Sequence, residues 1–139
     1  MTKLSPSIAS SRNQVRALIV DDDPYQLELI SEVLRALGVL NVTTTPSVEK
    51  ALRLLSVERS RINLILLDLH MPGMDGFAFM DAAAKIGFGG GLILVSDQAE
   101  DVLHAGALVA KLRRFSLLGS VPKPVEMSAL SLLLPSSQT

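Results

Sequence analysis

The sequence predicts an α/β fold, a doubly wound parallel sheet of five strands with five helices on its two faces. Three observations carry that reading. Short apolar runs alternate with segments whose apolar residues recur at helical spacing, the order that parallel strands with helical crossovers require. The runs are apolar almost throughout, as in ALIV, LILL and LILV, whereas a strand with one solvated face would alternate. The polar residues of chemical interest follow the runs instead of interrupting them, which puts them at the carboxyl ends of strands, where such sheets bind ligands.

Each element has its own signal. Residues 17–20 form the first strand, ending in Asp21-Asp22-Asp23. Pro24 then suits the first position of a helix, with Asp23 as its N-cap. Leu27, Ile30, Leu34 and Leu37 give that helix its apolar stripe, and Gly38 stops it. Residues 40–44 are the second strand, and Ser47 caps a helix that buries Ala51, Leu52, Leu54 and Leu55. The third strand, 63–67, delivers Asp68. Pro72 and Gly73 turn the chain, a helix follows over 76–85, and the glycine run 87–91 leads into the fourth strand at 92–95. A long helix is predicted over 100–114, with Lys111, Arg113 and Arg114 complementing its carbonyl end. The fifth strand covers 116–121, and a last helix runs from 126 to 134, where Pro135 ends it.

A chain of 139 residues is the length of one domain. Residues 1–14 are serine-rich and aperiodic and are expected as a disordered tail, 15–135 as the folded domain, and 136–139 as a second tail. Thirteen basic against 14 acidic residues leave a net charge of -1, which gives no footprint for nucleic acid or an anionic membrane. The absence of cysteine excludes disulfides and thiolate zinc sites, and two histidines cannot build a multi-histidine metal centre. Any metal is therefore a hard cation held by oxygens. No signal-peptide core and no apolar run of roughly 18 residues is present, so a cytoplasmic protein without membrane contact is expected.

Asp21, Asp22 and Asp68 converge at one sheet edge in this arrangement and repel one another, so a positive charge has to sit among them. Mg²⁺ suits, since it takes a few carboxylates together with water and phosphate oxygens. Lys123 adds a mobile cation and Ser96 a hydroxyl donor on the same edge. A nucleophilic carboxylate, a metal, a lysine and a hydroxyl describe phosphoryl transfer onto an aspartate.

The motifs LIVDDDP, LILLDLHMPGMDG, LILVS and VPKP resemble, as a set, the response-regulator receiver domain of two-component signalling, over Ala17 to about Leu134. The resemblance implies the flavodoxin-like strand order 2-1-3-4-5 and a cis peptide at Lys123-Pro124. It implies Asp68 as phosphoacceptor, with Asp21, Asp22, Asp68 and the backbone carbonyl of His70 as Mg²⁺ ligands. Ser96 and Lys123 then match the family's switch hydroxyl and lysine. A sensor histidine kinase or a histidine phosphotransfer protein is the implied phosphodonor. Output by protein contact is expected, because no DNA-reading helix pair follows Leu134. Apolar Leu130, Leu132, Leu133 and Leu134 favour self-association or docking there, a homodimer among the possibilities.

The chain departs from the family at Ser120, where an aromatic switch residue is usual, and at Asp97, where a small residue is usual. Ser120 keeps open a phosphorylation-independent pseudo-receiver, an interaction module that carries no phosphate. A haloacid-dehalogenase-type phosphatase needs a second aspartate two residues after the first, and that position is His70.

Overall fold

The computed structural model describes residues 11–58, 61–71, 74–97, 106–111 and 113–135. Five of its strands form one parallel sheet: β1 (Arg16–Val20), β2 (Asn41–Thr45), β3 (Leu64–Asp68), β4 (Gly91–Ser96) and β5 (Ser116–Pro122). Their spatial order is β2-β1-β3-β4-β5, the expected 2-1-3-4-5. The helices are α1 (Pro24–Ala36), α2 (Val48–Glu58), α3 (Gly76–Lys85), α4, helical over 106–111, and α5 (Met127–Ser131). A small antiparallel pair, His70–Met71 with Met74–Asp75, lies between β3 and α3.

Alternation along the central strands builds two cores. Leu18 and Val20 of β1, Ile65 and Leu67 of β3, and Leu92 and Leu94 of β4 pack against α2, α3 and α4. Their neighbours Ala17, Ile19, Leu64, Leu66, Ile93 and Val95 pack against α1 and α5. Both faces are thus covered, which is why β3 and β4 read as unbroken apolar runs and are buried at every residue. Burying each large side chain contributes about 1.5–3 kcal/mol, so these strands hold the sheet rigid under whatever sits at its edge. β2, at one edge, is threonine-rich and only half buried.

Three helices end in the same way. After α1, Gly38 (φ +98°) donates to Arg35 O while Val39 donates to Leu34 O. After α3, Gly87 (φ +93°) donates to Ala84 O while Phe88 donates to Ala83 O. These are Schellman closures, which need a residue of positive φ. The long helix expected to reach 114 closes by the same pair of bonds, Arg114 to Lys111 O and Phe115 to Ala110 O, with Arg114 itself at φ +66°. No glycine marks that stop, so the sequence pattern overran it. Arg113 Nε donates to Asp81 Oδ1 of α3 at 2.8 Å. The part of this helix expected before residue 106 lies outside the described residues, as does His104.

Two further boundaries move. The last helix stops at Ser131 and the chain tightens into i→i+3 turns, Leu133 to Leu130 O and Leu134 to Ser131 O. Residues 12–14, expected within the loose N-terminal segment, form a 3₁₀ turn. The Arg12 guanidinium anchors it by donating to Leu37 O, Pro135 O, Ser131 O and Ser131 Oγ at 2.8–3.3 Å. One side chain thereby ties the start of the domain to the ends of α1 and α5. Of the apolar residues near the end, Leu130 and Leu134 are buried and Leu132 is exposed.

Candidate functional site

Parallel strands deliver their carboxyl ends to one edge of the sheet, and the charged residues gather there. Asp21 follows β1, Asp68 closes β3, Ser96 closes β4 and Lys123 follows β5. Asp21, Asp68 and Ser96 are all within 2% of complete burial. The backbone around them is knitted across strands. Asp21 N donates to Thr45 O, Leu69 N to Val95 O and Lys123 N to Ser96 O, at 3.2–3.3 Å. Asp21 Oδ1 accepts from Asp23 N at 2.9 Å, which turns the acidic stretch into a tight loop.

Asp23 caps α1, accepting from Tyr25 N. The other two acids of the triplet face the site. Carboxylate oxygens of Asp21, Asp22 and Asp68 lie within 4.8 Å of one another, with Asp22 exposed and the other two buried. The Lys123 ammonium reaches Asp21 Oδ2 at 2.9 Å and Asp68 Oδ2 at 3.2 Å. Burial by itself would lower the lysine pKa; close contact with Asp21, and then with Asp68, outweighs it and holds the group above its ordinary 10.5. The Lys123-Pro124 peptide is cis.

The donor set fits a divalent cation. Asp21 Oδ2 is buried and meets the Lys123 ammonium at 2.9 Å, which it shares with Asp68. One ammonium leaves three clustered carboxylates with excess negative charge, and a hard cation among them offsets it. Asp21, Asp22 and Asp68 could hold such an ion.

The remaining candidates are placed as follows. Ser96 pairs in register with Pro122, beside Lys123. His70 lies two residues beyond Asp68 in the small antiparallel pair, opposite Asp75. Ser120 sits on β5 opposite Leu94 and is exposed, while its neighbour Val121 is buried. Asp97 is exposed. Sequence reasoning assigned nothing to Gly76, yet this residue touches the site. A methyl group there would lie 3.1 Å from Leu69 Cα and 3.3 Å from the carbonyl oxygens of Asp68 and Leu69. The signal was a glycine opening a helix, where a cap is the usual reading.

Comparison with known proteins agrees with this geometry. The family model of the response regulator receiver domain matches residues 17–134. A two-component response regulator of Oryza sativa subsp. indica is 40% identical over 67 residues, 48% of this chain and 10% of that protein. One of Arabidopsis thaliana is 39% identical over 67 residues, 48% of this chain and 11% of that protein. The chain therefore spans about a tenth of the length of these curated relatives. Among solved structures, a response regulator from Colwellia psychrerythraea superposes with a TM-score of 0.72 at 28% identity, covering 85% of this chain and 91% of that one. A receiver domain protein from Clostridium thermocellum gives the same TM-score at 24% identity, over 86% and 90% of the two chains, and speaks to the fold alone. With the strand order, the acidic edge and the family match over most of its length, the chain belongs to the response-regulator receiver domain family.

Proposed function

We propose that this receiver domain, taken as residues 15–135, accepts a phosphoryl group on Asp68 from a phosphohistidine and passes the signal on by protein–protein contact. The observation that carries this reading is the position of Asp68, buried at the end of β3 between two acids and the ammonium of Lys123. In the transfer, an Asp68 carboxylate oxygen forms a bond to phosphorus as the phosphorus–nitrogen bond of the donor breaks. The electron pair returns to the imidazole nitrogen, which takes a proton from solvent. Lys123 leaves its resting ion pair with Asp68 to meet a phosphoryl oxygen, and the Ser96 hydroxyl donates a hydrogen bond to another. Asp21, Asp22, Asp68 and the backbone carbonyl of His70 would hold Mg²⁺, whose chemistry here is neutralisation of the clustered negative charge. The donor is a sensor histidine kinase or a histidine phosphotransfer protein, recognised by its phosphoimidazole.

Incubation with a small-molecule phosphodonor and Mg²⁺, followed by intact mass, tests the proposal. One acid-stable, base-labile phosphoryl adduct is expected, absent from Asp68→Asn. Full labelling of that variant overturns the assignment of Asp68. The exposed Ser120 favours a second reading, a pseudo-receiver that binds its partner without phosphate. An unlabelled wild-type chain that still captures its partner would establish it.

A further inference from the structure

Ser120 offers no ring to carry a change at Asp68 outward, so the packing around the residue next to Asp68 becomes decisive. Leu69 is 5% exposed and its N–H is bonded to Val95 O at 3.2 Å, one residue before Ser96. The backbone of Gly76, the first residue of α3, passes close to it, so that a methyl group on Gly76 would lie 3.1 Å from Leu69 Cα. The Leu69 side chain meets α4 at Gly106. A methyl group on Gly106 would lie 2.9 Å from Leu69 Cδ1, nearer than real Cβ atoms approach, and a tight 3.1 Å from Leu94 Cδ1, both of them ends of leucine side chains that can turn aside. The backbone of α4 at Gly106 therefore lies close over two leucine side chains of the sheet edge, in a notch that a side chain at this position would fill.

We infer that Leu69, seated in the Gly106 notch of α4, is the positioning residue through which the state of Asp68 reaches α4. The inference rests on the reading of Asp68 as phosphoacceptor. A phosphoryl group that draws Ser96 inward moves the end of β4, to which Leu69 is bonded at Val95. On the α3 side the backbone already lies close at Gly76. Close-packed interfaces shift between discrete arrangements rather than compressing, so the displacement passes to the helix that leans on Leu69 and Leu94. The C-terminal end of α4 is held meanwhile by Arg113 on Asp81 and by Phe115 against Phe88, with ring centroids 6.0 Å apart. Residues 106–111 are then held on their C-terminal side and responsive at Gly106.

The test uses beryllofluoride as the phosphoryl mimic, in Mg²⁺, with binding affinity and hydrogen exchange over residues 106–111 read together. Gly106→Ala fills the notch against the mobile tip of Leu69, and alanine favours helix over glycine, so the fold is kept. Leu69→Ala empties the notch and serves as the second variant, with Ser120→Ala as control. Expected are a change in affinity of about five-fold or more in Gly106→Ala and Leu69→Ala, and loss of the ligand-dependent exchange change in 106–111. Ser120→Ala should behave as the unsubstituted chain. Altered melting temperature with unaltered affinity and exchange response overturns the coupling alone. An unsubstituted chain that takes up no beryllofluoride overturns the coupling and the phosphoacceptor reading together.

Discussion

Asp21 and Asp68, at the ends of adjacent strands, share the Lys123 ammonium, which stands 2.9 Å from one and 3.2 Å from the other. A lysine engaged in this way does at rest what a metal ion would do when bound. Charge neutralisation at the site is therefore divided between a tethered cation and a diffusible one. Lys123→Met should lower metal-free stability by about 1–3 kcal/mol, because two buried carboxylates lose their counter-charge. The rise in melting temperature on adding Mg²⁺ should be larger in the variant than in the wild type. Equal or smaller gains by differential scanning calorimetry would contradict this division.

The pH dependence follows from the raised pKa of Lys123. Its folded value lies above its unfolded one, so the lysine stabilises the fold fully below the unfolded pKa. That contribution is lost as pH rises through the folded pKa. The difference in unfolding free energy between wild type and Lys123→Met should be constant from neutral pH to about 10 and shrink above the ordinary lysine pKa. A difference that instead vanishes between pH 6 and 9 would show that another group is titrating.

Asp22 is exposed while Asp21 and Asp68 are buried, so it can be changed without opening the core. Asp22→Asn should cost within about 0.5 kcal/mol in the absence of metal. Most of the Mg²⁺-dependent stabilisation should vanish with it, since binding to the folded state alone is what raises the melting temperature. Chelator titrations that leave wild type and variant with the same metal-dependent shift would place the cation elsewhere.

Arg114 occupies a positive-φ position that glycine holds after α1 and α3. Arg114→Gly should stabilise the domain by about 0.5–1 kcal/mol, relieving left-handed strain at a small entropic cost in the unfolded chain. Loss of stability on urea denaturation would mean that the arginine side chain contributes more than its backbone costs.

Arg12 ties three chain segments together through carbonyl oxygens of Leu37, Ser131 and Pro135. Arg12→Ala should cost about 1–3 kcal/mol, since charge-assisted bonds to carbonyls are lost and the acceptors left short of donors. Hydrogen exchange should rise in α5 and in the turns up to Pro135. Acceleration confined to the N-terminal turn would contradict a clasp reaching the other end of the domain.

The order of strands and helices and the identity of the acidic edge were legible in the sequence. Unbroken apolar runs such as LILLD record burial on both faces, and a polar residue directly after such a run has nowhere to go but the strand end. Asp21, Asp22, Asp68 and Ser96 needed no contact map for that reason, whereas Lys123 follows the half-exposed β5 and is marked by the VPKP motif instead. Tertiary structure alone decided what depends on atoms distant in sequence. Arg12 looked like part of a loose tail because its partners lie 25 to 123 residues away. The end of α4 was hidden because an arginine took the left-handed position that glycine advertises. The roles of Gly76 and Gly106 were hidden because a missing side chain has meaning only once the residue pressed against it, here Leu69, is in place. Periodicity reports which face of an element is buried; it does not report what that face is buried against.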